Sequence, residues 1–162
     1  MIVTCDAIQA AEKRLFETGV EAEPLMERAG KGCAEAIRQW FPRPCRAILF
    51  VGKGNNGGDA LVIGRELRKR GWSVVARYAG SASELTDLAA KKREEFEAVS
   101  DGDASPRRPL VLVDGLLGIG ARGPLRGGLG ELAMEMNQFR FAECATTFAV
   151  DIPSGIDGDS GE

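Results

Sequence analysis

The strongest constraint on the fold is a repeated order of segments: a short apolar run, a loop rich in glycine or aspartate, then a helical stretch. After Pro42 and Pro44, Ala47 to Val51 reads as a strand, Gly52 to Gly58 as a loop, and Asp59 to Arg70 as a helix closed by Gly71. Ser73 to Tyr78 is a second strand, followed by the heavily charged helical stretch Glu84 to Val99 and a loop, Ser100 to Pro109, rich in Asp, Pro and Ser. A third strand, Leu110 to Val113, runs into Asp114 and a glycine-rich loop. Leu129 to Phe139 is helical again, and a fourth strand, Thr147 to Val150, ends at Asp151. Strands that are apolar throughout are buried on both faces, and strands separated by helices pair in parallel. The expected fold class is therefore α/β, with a mostly parallel sheet between layers of helices. In such open sheets ligands bind beyond the carboxyl ends of the strands. The three chemically distinctive segments of this sequence all lie there.

Two helices are expected ahead of the first strand, one from about Asp6 to Thr18 and one beginning near Pro24, joined at Gly19. In the second, Leu25, Met26, Ala29, Cys33, Ala36 and Ile37 recur at helical spacing as a core-packing stripe, and Gly30 and Gly32 are placed to admit a close neighbour.

Composition narrows the function. With 162 residues the expectation is one domain. The apolar runs fall far short of the roughly 18 residues of a membrane span, and the N-terminus has no uninterrupted hydrophobic segment, so a cytoplasmic location without a signal peptide or membrane is expected. Net charge is −3 and basic residues are scattered among acidic ones, which is not the footprint of a nucleic-acid binder. The densest basic stretch, Arg65 to Arg70, reads as the solvated face of a helix. The four cysteines, Cys5, Cys33, Cys45 and Cys144, stand far apart and read as free, mostly buried thiols. There is no histidine, so Ser-His and Cys-His pairs are excluded, and an acid or base working near neutral pH must be a carboxylate, lysine, cysteine or tyrosine.

The first distinctive segment is Gly52-Lys53-Gly54-Asn55-Asn56-Gly57-Gly58-Asp59, between a strand and a helix. Glycines let backbone approach a ligand, and a helix N-terminus offers unpaired amides to phosphate. The spacing fits neither the dinucleotide fingerprint nor the Walker pattern. The plainer reading makes Asp59 a helix N-cap. The second segment runs from Asp114 through Gly118, Ile119, Gly120, Ala121, Arg122, Gly123 and Pro124 to Arg126 and Gly128. Its strand-end aspartate can bind a cation or move a proton, and Arg122 and Arg126 can pair with phosphate. The third is Asp151-Ile152-Pro153-Ser154-Gly155, with Asp157 and Asp159 beyond it in what reads as a turn. Asp114 and Asp151 end successive strands, so two carboxylates are expected to face one crevice, either sharing a cation or splitting their pKa values.

Gly-Asn-Asn-Gly-Gly-Asp at 54 to 59, the loop from Asp114 to Gly120, Asp-Ile-Pro-Ser-Gly at 151 to 155 and Pro-Leu-Met-Glu-Arg-Ala-Gly at 24 to 30 resemble the NAD(P)H-hydrate epimerase family, in that family's order and across nearly the whole chain. The resemblance implies a Rossmann-like three-layer sandwich, a homodimer, one potassium ion per subunit, and interconversion of the two C6 epimers of hydrated NADH or NADPH. It further implies that Asn55, Asn56, Gly57, Gly58 and Asp59 line the substrate pocket, that Gly118 to Pro124 wrap the substrate, that Asp151 contacts the reacting ring, and that Asn56, Asp114 and Ser154 hold the potassium. Asp151 is the expected proton-transfer group and Asp114 the expected cation ligand, with the reverse assignment also open. Ala60 and Leu117 depart from the family's usual glycine and phenylalanine. The chain also stops at Glu162, where members usually continue, so the sheet is expected to lack its last strands. Some members are fused to an ADP- or ATP-dependent dehydratase, which implies a fused or separate partner of that kind. Two other readings are a non-catalytic nucleotide-binding or protein-interaction module on the same fold and an ordinary redox dehydrogenase, the latter weakened by the glycine spacing.

Overall fold

The computed structural model describes residues 3–162. Four strands, β1 (Arg46–Val51), β2 (Ser73–Tyr78), β3 (Leu110–Gly115) and β4 (Thr146–Ala149), form a wholly parallel sheet in the order β2-β1-β3-β4. The chain leaves β1 toward one edge to make β2, then returns across β1 to make β3. That reversal puts the topological switch point between β1 and β3, where doubly wound sheets bind their ligands.

Side-chain alternation assigns the layers. Ala47, Leu49 and Val51 of β1, with Val111 and Val113 of β3, pack into a cluster with Ala34, Ile37, Leu61, Leu67 and Phe96. These come from α2 (Ala22–Trp40), α3 (Asn55–Arg68) and α4 (Asp87–Glu97). The intervening Ile48, Phe50, Leu110 and Leu112 face the other way, onto Met136, Leu132 and Phe139 of α5 (Gly128–Ala142). The result is a three-layer α/β sandwich. The strands and their order of appearance follow the sequence expectation, while Glu84 to Val99 divides into a short 3-10 turn, Ala82–Glu84, and α4, which starts behind a Thr86 cap. Among the described residues no helix is long and apolar enough to cross a membrane.

Three expectations need correction. The stripe on α2 is half right: Met26, Gly30, Ala34 and Ile37 are buried, but Leu25, Ala29 and Ala36 face outward. Gly30 does admit a neighbour, since a Cβ there would lie 2.5 Å from Val62, whereas Gly32 borders open space. The basic stretch Arg65 to Arg70 is a solvated face only at its end. Arg65 is buried, with Nη2 2.7 Å from Glu27 and a further bond to Glu95. Lys92 of α4, also buried, reaches Glu23 at 2.7 Å, Glu27 at 2.9 Å and Glu95 at 3.0 Å. Burial opposes the Lys92 charge, yet the hydrogen bonds it donates to Glu23, Glu27 and Glu95 leave its pKa raised, and Arg65 holds Glu27 well below the usual carboxylate range. Where the sheet, α2 and α4 enclose α3, Arg65 has no solvent to face and pairs across helices, whereas Lys69 and Arg70 at the end of the stretch are exposed as expected.

The helix α1 (Cys5–Glu17) stands apart from this core. Cys5 is its one buried residue, and Gly19, with φ of 89°, turns the chain from it into α2. α1 is held at its N-terminal end: the Cys5 amide donates to Asp159 at 2.7 Å, Asp6 pairs with Arg122 at 2.6 Å, and Gln9 reaches the Ile119 carbonyl at 3.3 Å.

Candidate functional site at the carboxyl ends of the strands

The helix after β1 begins at Asn55, with Gly54 as its N-cap, four residues earlier than the sequence suggested. Asp59 is thus not a cap but lies one turn inside the helix. The glycines misled the reading because they serve packing rather than turning. A Cβ on Gly57 would collide with the Gly52 carbonyl oxygen, and one on Gly58 would lie 2.7 Å from the Met26 sulfur, so α3 can lie against the β1 loop and α2 only without those side chains. The first intrahelical bond runs from the Gly58 amide to the Gly54 carbonyl at 3.2 Å. The amides of Asn55, Asn56 and Gly57 therefore remain free of intrahelical partners at the positive end of the helix dipole, which suits an anionic ligand.

Asp114 sits within β3 at 3% exposure, a carboxylate with no cationic side chain among its described partners. Its Oδ1 accepts from the Ser154 hydroxyl at 2.6 Å and the Leu116 amide at 3.2 Å, and its Oδ2 accepts from the Ser154 amide at 2.8 Å. Ser154 Oγ in turn accepts from the Leu117 amide at 2.9 Å. The second and third distinctive segments are thereby tied together. Asp114 and Ser154 also line a cavity of about 590 Å³ bounded by Met136, Asn137 and Arg140 of α5 and by Thr146 and Thr147 of β4.

Asp151 follows β4 in a left-handed conformation, φ 67°, which aspartate tolerates better than most residues. Its Oδ2 accepts from the Ile119 amide at 2.7 Å. A Cβ on Gly118 would lie 2.5 Å from that oxygen and 3.4 Å from Asn56 Oδ1, so the absence of a side chain at 118 lets Asp151 and Asn56 converge on one spot. The Asn56 amide nitrogen is buried without a hydrogen-bond partner among the described residues. The carboxylate that faces Asp151 is Asp59. Burial first, then the charges of Asp151 and of Glu12 on α1, push Asp59 up to about 7. Asp114 is held by Ser154 in a polar cluster of its own bonds, and the structure adds Asp59 as a carboxylate that feels the charge of Asp151. Reading the sequence missed this role for Asp59. The available signal was its position at the head of the apolar run Ala60 to Ile63, which marks a buried helix and a desolvated carboxyl.

The loop from Gly118 to Pro124 lies beside these groups, with Ala121, Gly123 and Pro124 lining a second cavity of about 190 Å³ along with Leu117, Gly155 and Ile156. Arg122 is committed elsewhere. It pairs with Asp6, with Asp157 at 3.3 Å and with Asp159 at 3.5 Å, and so clasps α1 to the last loop rather than waiting for a phosphate. Arg126 is exposed and has no ion pair among the described residues. Asp157 accepts from the amides of Asp159 and Ser160, which makes the segment a turn as expected. The four cysteines are free; Cys5 and Cys45 are buried, Cys33 is half-buried and Cys144 is exposed.

The family described as YjeF-related protein N-terminus matches residues 22–162. An NAD(P)H-hydrate epimerase of Rhodopirellula baltica is 39% identical over 170 aligned residues, which take in 99% of this chain and 68% of that protein. A bifunctional NAD(P)H-hydrate repair enzyme of Salinibacter ruber is 33% identical over 99% of this chain, which spans 33% of its length. A crystal structure of the yeast protein ynu0 superposes with a TM-score of 0.85 at 24% identity, covering 99% of this chain and 73% of that one.

Proposed function

We propose a function for this chain from the premise that it belongs to the YjeF-related N-terminus family. Its function is that of the epimerases it matches: an isomerase that interconverts the R and S forms of hydrated NADH and NADPH at C6, a repair step for damaged nicotinamide cofactor. The observation that carries this reading to particular residues is the convergence of Asp59, Asp151, Asn56 and Gly118 at the N-terminus of α3. C6 of the hydrate is a hemiaminal carbon, so proton transfer to and from its hydroxyl suffices to erase and rebuild its configuration. Asp151 is the reading's main proton-transfer group. The free amides of Asn55 to Gly57 bind an anionic part of the substrate, and the Gly118 to Pro124 loop wraps it.

A potassium ion fits the second cluster. Asp114 is buried with no cationic side chain among its described partners, and its carboxylate, the Ser154 hydroxyl and the Asn56 amide oxygen are donors of the kind alkali and alkaline-earth cations take. These three residues would hold the ion in this reading, and it would supply positive charge to the Asp114 carboxylate at the junction of the Leu117 and Ser154 loops. A homodimer and a cytoplasmic setting belong to the same reading. Leu15, Phe16, Leu25 and Trp40 supply exposed apolar surface on α1 and α2, and four free thiols suit a reducing compartment. The bifunctional relatives support a dehydratase, fused or separate, as the companion activity.

The test follows the two epimers by chromatography, starting from each pure form, with potassium present and then replaced by sodium. The expected result is approach to one common mixture from both sides, faster than the spontaneous rate and slower in sodium. A spontaneous rate throughout refutes the epimerase and favours the binding-module alternative. Equal rates in both salts refute the potassium site.

A further inference from the structure

We propose that Asp59 is the second acid–base group of this site, a proton donor that works across the substrate from Asp151. The inference rests on the epimerase reading and deepens it, since the resemblance gave Asp59 only a substrate contact. Asp59 lies one turn into α3, and its Oδ1 is buried with no hydrogen-bond partner among the described residues. The groups that face it are Asp151 from the segment after β4, Glu12 from α1 and the Cys33 thiol from α2. None of them is cationic. Burial first, then the Asp151 and Glu12 charges, favour a proton on Asp59, and with its pKa raised to about 7 the carboxyl is about half protonated at neutral pH. A carboxyl pair in which one member keeps its proton while the other is ionised divides acid and base roles between them.

Epimerisation needs that division on two faces, because the two epimers carry the C6 hydroxyl on opposite faces of the ring. From one epimer, Asp59 passes its proton to the hydroxyl. The C6–O bond breaks, water leaves, and the N1 lone pair forms the C6=N1 bond of an iminium. Water then adds to C6 from the opposite face, and the proton it sheds goes to the Asp151 carboxylate. The substrate has gained and lost one water, and the enzyme has moved one proton from Asp59 to Asp151. The reverse reaction runs with the roles exchanged.

The experiment compares the wild-type chain with Asp59→Asn and Asp59→Glu in epimer interconversion from pH 5 to pH 9. In the wild type, kcat/KM is expected to fall as pH rises through about 7, as the donor of the free enzyme loses its proton. Asp59→Asn is expected to lose roughly 100-fold or more in kcat, with KM changed little, and to lose that high-pH limb; Asp59→Glu recovers part of the rate with the limb displaced. An Asp59→Asn variant that keeps the wild-type kcat and its limb overturns the proposal. A wild type no faster than the spontaneous reaction overturns the epimerase reading itself, which is a different result. Carboxyl-carbon NMR gives a readout independent of turnover. One aspartate of the wild type is expected to titrate near 7 and to vanish in Asp59→Asn, and titration of every aspartate in the ordinary range overturns the proposal. Folding of the variant has its own signature. A carboxyl raised from 3.8 to about 7 favours the folded state below about pH 4 and weakens it as pH rises to about 7, so the Tm difference shifts in favour of Asp59→Asn between pH 4 and pH 8.

Discussion

Replacing Asp151 by asparagine is expected to lower the epimerisation rate roughly 10²–10⁴-fold, the range general acid–base groups contribute, while the unfolding midpoint in urea stays close to that of the wild type. Asparagine is the informative choice for two reasons. It accepts the left-handed backbone at φ 67°, where alanine costs roughly 1–2 kcal/mol. It also keeps an oxygen for the Ile119 amide, so the loop of residues 117 to 120 stays in place. What it removes is the ability to take or give a proton. Because Asp151 is exposed, little of the core depends on it. Undiminished turnover in this variant would take Asp151 out of the mechanism.

The largest effect on stability is expected from Lys92→Met. The lysine is 1% exposed on its side chain and holds Glu23, Glu27 and Glu95 together at the meeting of α2, α3 and α4. Methionine matches its length and apolar stem but leaves those carboxylates without their shared cation, with Arg65 to serve Glu27 and Glu95 and only the more exposed Lys31 and Lys91 beside Glu27 and Glu23. Breaking one side of a buried ion cluster costs about 3–5 kcal/mol. The partial exposure of Glu23 and Glu95 puts this case at the low end. A loss of about 3 kcal/mol would lower Tm by roughly 6–12 °C in a chain of this size. A Tm within 2 °C of wild type, on the order of measurement scatter, would show that solvent already screens the cluster. Replacing lysine and all three carboxylates together by apolar residues should recover part of the loss, since the penalty lies in the unpaired charges.

The strands were readable because each is continuously apolar: Ala47 to Val51 and Leu110 to Val113 have no other home than the middle of a parallel sheet. The functional segments were readable because glycines and aspartates gather where those strands end. What escaped depends on contacts between elements. Gly57 and Gly58 look like loop residues until Gly52 and Met26 are seen against them, and only then does the helix start at Asn55 make sense. Arg65 and Lys92 look like surface charges until α2 is laid across α3 and α4. Asp59 owes its raised pKa first to burial, which the apolar run Ala60 to Ile63 hints at, and then to Asp151, 92 positions later, and Glu12 on a different helix, which no local pattern contains. Likewise Arg122 has the type of a phosphate ligand, and its engagement with Asp6, Asp157 and Asp159 appears only in three dimensions.

The attachment of α1 has a thermodynamic consequence. A helix with one buried residue, held by a backbone bond, a side-chain amide and an exposed ion cluster, can detach without disturbing the sheet. The free energy of that opening lies near the bottom of the scale of local unfolding, and that of α3, enclosed on every side, near its top. Hydrogen exchange therefore divides the two helices into separate cooperative units, with α1 amides exchanging through local opening and α3 amides only through global unfolding. Because α1 carries Glu12 past Asp59, each opening also removes one of the charges that keep the proton on that carboxyl, so the acidity of the crevice fluctuates with the fraying of a helix that contributes almost nothing to the core.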